Sequence, residues 1–194
     1  GIYTLSLHDA LPILAATVPS TTVWPALSPV LTSVPESPTT HVVTVTVEVF
    51  MLATTFTVGS GCATIQDCID AANPGDEVHI PAGSYTESLT VAKAISVTGD
   101  LSSTTIIHAL ANQRVMTITS AAVNLSDITL TGGLVTSTED LFVDASVGGG
   151  GLRIDNAQTE LTNVALVNNQ SGFGGGLLAL TSTVTLEGVD IQQT

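Results

Sequence analysis

The sequence predicts an all-β solenoid, in which coils of three short strands stack on one another behind a short N-terminal helix. Two observations predict it. Residues 149–194 repeat themselves: Gly149-Gly-Gly-Leu152-Arg-Ile154, Thr159-x-Leu161 and Val164-x-Leu166 are matched 25 residues on by Gly174-Gly-Gly-Leu177-Leu-Ala179, Val184-x-Leu186 and Val189-x-Ile191. Each copy also holds three short alternating apolar runs separated by polar or small residues, which is three strands per copy.

The repeat extends backward. Met116-x-Ile118, Val123-x-Leu125 and Ile128-x-Leu130 match the same trio, and Leu161 lies 36 residues beyond Leu125, one period plus 11. The surplus falls between Thr131-Gly132-Gly133 and Gly148, so Leu134–Val147 reads as an insertion looping out of one coil. A degenerate earlier copy stands at Leu89-x-Val91, Ile95-x-Val97 and Thr104–Ile107, with Val97 28 residues before Leu125. Alternation sends Leu152, Ile154, Leu161, Val164 and Leu166 inward and Arg153, Glu160, Thr162 and Ala165 outward. Stacked at about 4.8 Å, each strand pairs in parallel with its equivalent in the next coil, and the inward residues form ladders of like on like. A left-handed helix built on hexapeptides shares this arithmetic. Its strict six-residue period is absent, so a right-handed parallel β-helix with a period of about 25 is expected.

Composition agrees. The 194 residues are 44% apolar but only 4% aromatic and 10% charged, so small and β-branched side chains fill the interior. That profile suits thin strands packed in ladders and argues against a helical bundle; the length suffices for one domain with a substantial core. The net charge of −14 leaves three basic residues, Lys93, Arg114 and Arg153, too few and too scattered for a basic patch. No nucleic-acid or anionic-membrane partner is therefore expected. No segment reaches the ~20 apolar residues that a membrane helix needs.

In chain order, Ile2–Ile13 read as the translation of a DNA sequencing adapter, so residues 1–13 are set aside and the apolar run Leu11–Ala16 is not taken as an export signal. Residues 14–53 are rich in Pro, Thr, Ser and Val, which describes an extended or disordered lead-in; His41–Phe50 alternates Val with Thr and offers one strand. No role is assigned to Trp24 or His41. The folded part, 54–194, opens with a strand at Phe56-x-Val58 and a turn at Gly59-Ser-Gly61. Ile65, Cys68, Ile69 and Ala72 then share one helical face. Thr64 is an apt N-cap with Asp67 three positions on, and Asn73-Pro74-Gly75 ends the run. Such a helix before the first coil has the job of a lid over its open apolar end.

Thr64-Ile-Gln-Asp-Cys-Ile-Asp-Ala-Ala-Asn-Pro-Gly-Asp76, followed by Val78-x-Ile80-Pro-Ala-Gly-Ser-Tyr85-Thr-Glu-Ser-Leu-Thr-Val91, resembles the N-terminal cap and first coil of pectin-lyase-like right-handed parallel β-helix proteins. Gly-Gly-Gly-Leu with Leu166-Val-Asn168-Asn169 is similar to the repeats of bacterial polymorphic outer-membrane proteins and related surface β-helix proteins, which usually carry an aromatic where Leu166 stands. The resemblance covers about 54–194. It implies the fold and a secreted or cell-surface location; the scaffold hosts lyases, hydrolases, esterases and adhesins alike.

Polysaccharide lyases of this superfamily hold a calcium with several Asp residues and set an Arg against the sugar on one sheet's outer side. No matching cluster occurs here, and Arg114 and Arg153 read as solvated structural cations. Pectin methylesterases need paired Gln, paired Asp and an Arg on later strands, which the coil after Gly133 does not reproduce. Gln66 and Asp67 belong to the lid helix. No catalytic residue is assigned. Cys62 and Cys68, six positions apart, are candidates for a disulfide pinning the lid if their Cα atoms come within about 7 Å; the alternative is a core-facing Cys68 and an unrelated Cys62. A bridge would imply an oxidising compartment.

The acidic insertion, with Glu139, Asp140 and Asp144, is the best candidate for a ligand contact, and its oxygen ligands suit Ca2+. Their spacing matches no calcium loop, so a solvated loop is the favoured reading and no cofactor is expected. His79 and His108 stand singly, as satisfied surface or edge residues. Asn124-Leu-Ser126 and Asn169-Gln-Ser171 match the N-glycosylation pattern, which has little weight in a bacterial-looking sequence. Asn156, Asn163, Asn168 and Asn169 fall at turns, where Asn tolerates left-handed geometry. Two functions remain: an adhesin-like or structural surface protein that meets a glycan or a cell-surface protein, and a polysaccharide lyase or pectin esterase whose catalytic coils lie beyond residue 194. The first is favoured because clustered outward Asp and Arg/Lys are missing. Ile191-Gln-Gln-Thr194 brings no capping element, so more coils are expected.

Overall fold

The computed structural model describes residues 52–135 and 148–193. The adapter-like start, nearly all of the lead-in, and Glu139, Asp140 and Asp144 lie outside them. The described chain is a right-handed parallel β-helix, with every strand pairing parallel. After β1 (Thr55–Thr57) and helix α1 (Ile65–Ala71), the first coil is β2 (Glu77–Ile80), β3 (Gly83–Thr86) and β4 (Leu89–Val91). The second is β5 (Ser96–Gly99), β6 (Thr105–His108) and β7 (Met116–Thr119). The third is β8 (Ala122–Ser126), β9 (Thr129–Thr131), β10 (Leu134–Val135) and β11 (Leu152–Asp155). The fourth is β12 (Gln158–Thr162), β13 (Ala165–Val167), β14 (Gln170–Ser171) and β15 (Leu177–Leu180), followed by β16 (Thr183–Glu187) and β17 (Asp190–Gln192).

Successive strands fall into three walls. The first sheet runs β1-β2-β5-β8-β12-β16, the second β3-β6-β9-β13-β17 and the third β4-β7-β11-β15; β10 and β14 make a two-stranded fourth. The registers form the apolar ladders: Phe56, Val78, Val97, Leu125 and Leu161 in the first sheet, Tyr85, Ile107, Leu130 and Leu166 in the second, and Leu89, Met116, Leu152 and Leu177 in the third. The ladder residues from Val78 to Leu166 are fully or nearly fully buried, except Tyr85, whose hydroxyl reaches out to the Pro81 carbonyl at 2.8 Å. Thr105 takes an aliphatic's place in this wall, and its hydroxyl accepts from the Asp100 amide at 3.1 Å.

The insertion differs from expectation at its start. Leu134–Val135 is ladder, not loop, because it pairs with Gln170–Ser171, and Gly148 bridges to Phe173. The surplus therefore lies between Val135 and Gly148. At the corners, one residue in left-handed geometry turns the chain. Asp127 (φ 58°), Asn163 (φ 53°) and Gly188 (φ 61°) serve one corner, and Ser120 (φ 51°), Asn156 (φ 47°) and Thr181 (φ 50°) serve another. Asn169 departs from the turn reading: it is buried inside, for reasons given below.

The lid is α1. Thr64 caps it, its hydroxyl accepting from Asp67 N while the Asp67 carboxylate accepts from Thr64 N. Ile65, Cys68 and Ile69 are buried against the first coil. That coil grips both helix ends with charge matched to the helix dipole. The Glu87 carboxylate accepts from Ile65 N at 3.0 Å and Gln66 N at 3.1 Å, and Lys93 Nζ donates to the carbonyls of Ile69, Asp70 and Ala72 at 3.2, 2.6 and 2.8 Å. Gln66 meanwhile turns its amide onto β4, the edge strand of the third sheet: Oε1 accepts from Thr90 N at 2.9 Å and Nε2 donates to Thr90 O at 3.1 Å.

Asp76 fastens the segments around the lid. Its carboxylate accepts from Asn73 N at 2.7 Å and Thr54 N at 2.8 Å, and these two amides, Asn73 first, hold its pKa below the usual aspartate range. A depressed folded-state pKa contributes stability that is present above the unfolded value of about 3.9 and lost as pH falls through the folded value. The urea midpoint is expected to drop as pH falls from about 5 toward 2. Asp76→Ala should lower it at pH 7 and flatten that drop; an unchanged slope in the variant would show that other carboxylates carry the effect. Asp100, held low by the Ala82 amide and then by His79, leaves a residual slope.

Candidate functional site

Two outer faces carry polar side chains in a concave setting. On the third sheet, alternation turns Thr90, Thr117, Thr119, Arg153 and Asp155 outward. A cleft of about 330 Å³ lies beside them, lined by Ser88, Thr90, Asn112, Gln113, Arg114 and Thr117 with Val135. Arg114, just before β7, folds over its own strand: Nη1 reaches Thr117 Oγ1 at 3.4 Å, while Nε and Nη2 donate to the carbonyls of Gly149 and Gly148 at 3.1 and 2.8 Å. The guanidinium therefore clamps the point where the insertion returns to the wall. Arg153 is in register with Thr117, which places the two cations together. Partial burial and then the charge of Arg153 push the Arg114 pKa down. Arg153 Nε also donates to Asp155 Oδ2 at 2.6 Å.

The first sheet offers a longer groove of about 590 Å³, which reaches from Glu77 on β2 across Ser96, Thr98, Asn124 and Ser126 to Glu160 and Thr162 on β12, with Asp127 at its rim. Its floor is a row of hydroxyls in register, Thr98, Ser126 and Thr162, in which Ser126 Oγ donates to Thr98 Oγ1 at 3.3 Å.

The other residues singled out in the sequence fall as follows. Cys62 and Cys68 are joined in a disulfide with Cα atoms 5.2 Å apart, tying the turn after β1 to the lid. His79 Nε2 lies 2.9 Å from Asp100 Oδ1 on the surface, and His108 stands on the outer side of β6. Asn124 is exposed in the first-sheet groove, whereas Asn169 is 2% exposed and its amide bridges coils. Among the described residues, no group of three or more His, Cys, Asp or Glu side chains is placed to hold a metal ion, and no helix is long and apolar enough to cross a membrane. The Arg114–Arg153 juxtaposition is what the sequence did not show, since the two are 39 residues apart and meet only once the insertion is removed from the register. The 36-residue offset of the repeat was the available signal.

No family model matches the sequence, and no curated protein matches it. Solved structures do. The pectin methylesterase PemA from Erwinia chrysanthemi is similar with a TM-score of 0.55 at 18% identity, over 76% of this chain and 51% of that one. A pectin methylesterase mutant crystallised in complex with a hexasaccharide is similar with a TM-score of 0.51, at the same identity and coverage. The fold is thus a right-handed parallel β-helix, as in those pectin methylesterases. The chain spans about half the length of the pectin methylesterases it matches.

Proposed function

We propose that this chain is the polysaccharide-holding part of a carbohydrate-active β-helix protein of the pectin-esterase type. A uronate-containing glycan lies along the outer face of the third sheet, its carboxylates toward Arg114 and Arg153. One observation carries the reading: in a chain of net charge −14 with three basic residues, two of them stand together beside a cleft on one outer face. The described outer side chains of this sheet carry two guanidiniums and one carboxylate, Asp155, and an anionic ligand is drawn to that local excess of positive charge. The fold likeness to pectin methylesterases, one of them bound to a hexasaccharide, supports a sugar as that ligand. The Cys62–Cys68 disulfide fits an oxidising, extracellular compartment.

Asp155 is the one carboxylate on the described outer face of the third sheet, and ester hydrolysis by paired carboxylates needs a partner for it. In this reading the described coils bind and other coils complete the chemistry. The adhesin-like reading rests on the lack of clustered outward Asp and Arg/Lys, and the meeting of Arg114 and Arg153 on one outer face weakens that ground. Calorimetric titration with polygalacturonate oligomers tests the proposal. Binding should weaken with added salt and fall about tenfold in Arg153→Ala, the worth of one charge-assisted hydrogen bond. Full affinity in that variant would overturn it.

A further inference from the structure

The geometry points to a second polysaccharide site, on the first sheet, that takes an uncharged glycan chain. The inference rests on the reading above only in naming a polysaccharide as the ligand; the face, the residues and the chemistry are different.

Three features of the groove select the ligand. Its electrostatics are one-signed: Glu77, Asp127 and Glu160 line it, and none of the chain's three cations is there, since Lys93 is bound to the lid helix and Arg114 and Arg153 belong to the third sheet. A polyanion is repelled. The rest of the lining mixes hydrogen-bonding groups, the hydroxyls of Ser96, Thr98, Ser126 and Thr162 and the Asn124 amide, with apolar surface from Ala53, Gly75 and Leu125. Protein partners are anchored by large apolar side chains buried at the interface centre, which this face lacks. Carboxylates and amides accept from and donate to sugar hydroxyls, and the carboxylate bonds are the stronger ones.

The third feature is periodicity. Ser96, Asn124 and Glu160 stand in one row, and Thr98, Ser126 and Thr162 in the next. Each row steps by the inter-strand distance of about 4.8 Å, so the same pair of polar columns recurs at every coil over about 14 Å from Glu77 to Glu160. A glycan is a chain of near-identical units bearing hydroxyls at a repeat close to that step. Laid along the helix axis, it presents each coil with the same contact. A polycation meets carboxylates that do not recur at every coil: Glu77 and Glu160 stand three strands apart in their row, with Asp127 at the rim between them.

The test uses two probes with the intact chain: fully methyl-esterified homogalacturonan oligomers, which are uncharged, and polygalacturonate, which is anionic. Two sets of variants are compared, Asn124→Ala and Glu160→Lys on the first sheet and Arg153→Ala on the third. Each first-sheet change is expected to weaken the uncharged oligomer about fivefold, the loss of one hydrogen bond, and Asn124→Ala, which leaves the charge alone, to leave polygalacturonate affinity unchanged. Backbone amide shifts in the NMR spectrum on adding the uncharged oligomer should centre on Ser96–Thr98 and Asn124–Ser126. Equal affinity of the uncharged oligomer for wild type and both first-sheet variants, or shifts confined to the third sheet, would overturn this site while leaving the Arg153 reading intact. Tight binding of polylysine abolished by Glu160→Lys, with no uncharged-oligomer binding, would assign the face to a basic partner instead. Loss of polygalacturonate dependence on Arg153, with the first-sheet effects retained, would sink the earlier reading alone.

Discussion

Gly133→Ala is expected to abolish the native fold or cost about 4 kcal/mol or more. Gly133 sits between β9 and β10, directly against Gly150 just before β11. A methyl group on its Cα would overlap the Gly150 carbonyl, and that carbonyl is already engaged, accepting from Val115 N at 3.1 Å. Neither backbone can retreat. Gly133 also accepts from Gln170 N at 2.7 Å and donates to Asn169 Oδ1 at 2.8 Å. Relief of the overlap therefore breaks bonds to the fourth coil. Gly61→Ala is the matched control, because a Cβ there meets nothing within 4 Å, and its midpoint should move by less than about 0.5 kcal/mol. Chemical denaturation of the two variants side by side checks the prediction, and similar midpoints would refute the packing argument.

Asn169→Leu is expected to destabilise by about 3 kcal/mol, because the loss leaves two buried backbone groups without partners. The amide of Asn169 works across coils: Oδ1 accepts from Gly133 N, and Nδ2 donates to Leu130 O at 2.9 Å. Leucine has similar bulk, so any loss reports the polar bonds and not a cavity. Hydrogen exchange at Gly133 should accelerate far more than at Ile118, whose ladder is untouched. Equal protection at both would mean that water replaces the side chain at no cost.

These two positions also mark the limit of what the sequence disclosed. The apolar ladders were legible because strand alternation is local, and a recurring trio needs only counting. The same holds for the helix from Thr64 and for Asn156, Asn163 and Asn168 at corners, where left-handed geometry selects the residue type within a single turn. Asn169 looked identical to its neighbour in the chain, and only the register shows that it stands opposite Gly133 in the coil before, where the missing side chain leaves room for it. Gln66, Glu87 and Lys93 were illegible for the same reason, since their partners lie 21 to 24 residues away in sequence. The candidate site followed suit. The carboxylates that stood out as a cluster, Glu139, Asp140 and Asp144, lie outside the described residues. The two arginines, each unremarkable alone, acquire chemical meaning from a stacking that places Arg153 over Thr117.

Gln66 has a further consequence for the molecule in solution. A parallel stack whose strands share one spacing is a template for its own extension, and the starting edge of a wall can accept a strand from another molecule as readily as from its own chain. On β4 that opening is filled by a primary amide, which offers the donor and acceptor of a peptide bond on a side chain that leads nowhere. It occupies the place of the next strand at Thr90 without creating a new edge beyond it. The glutamine thus acts as a chain terminator for end-to-end polymerisation through this wall, built from two hydrogen bonds on a helix of seven residues.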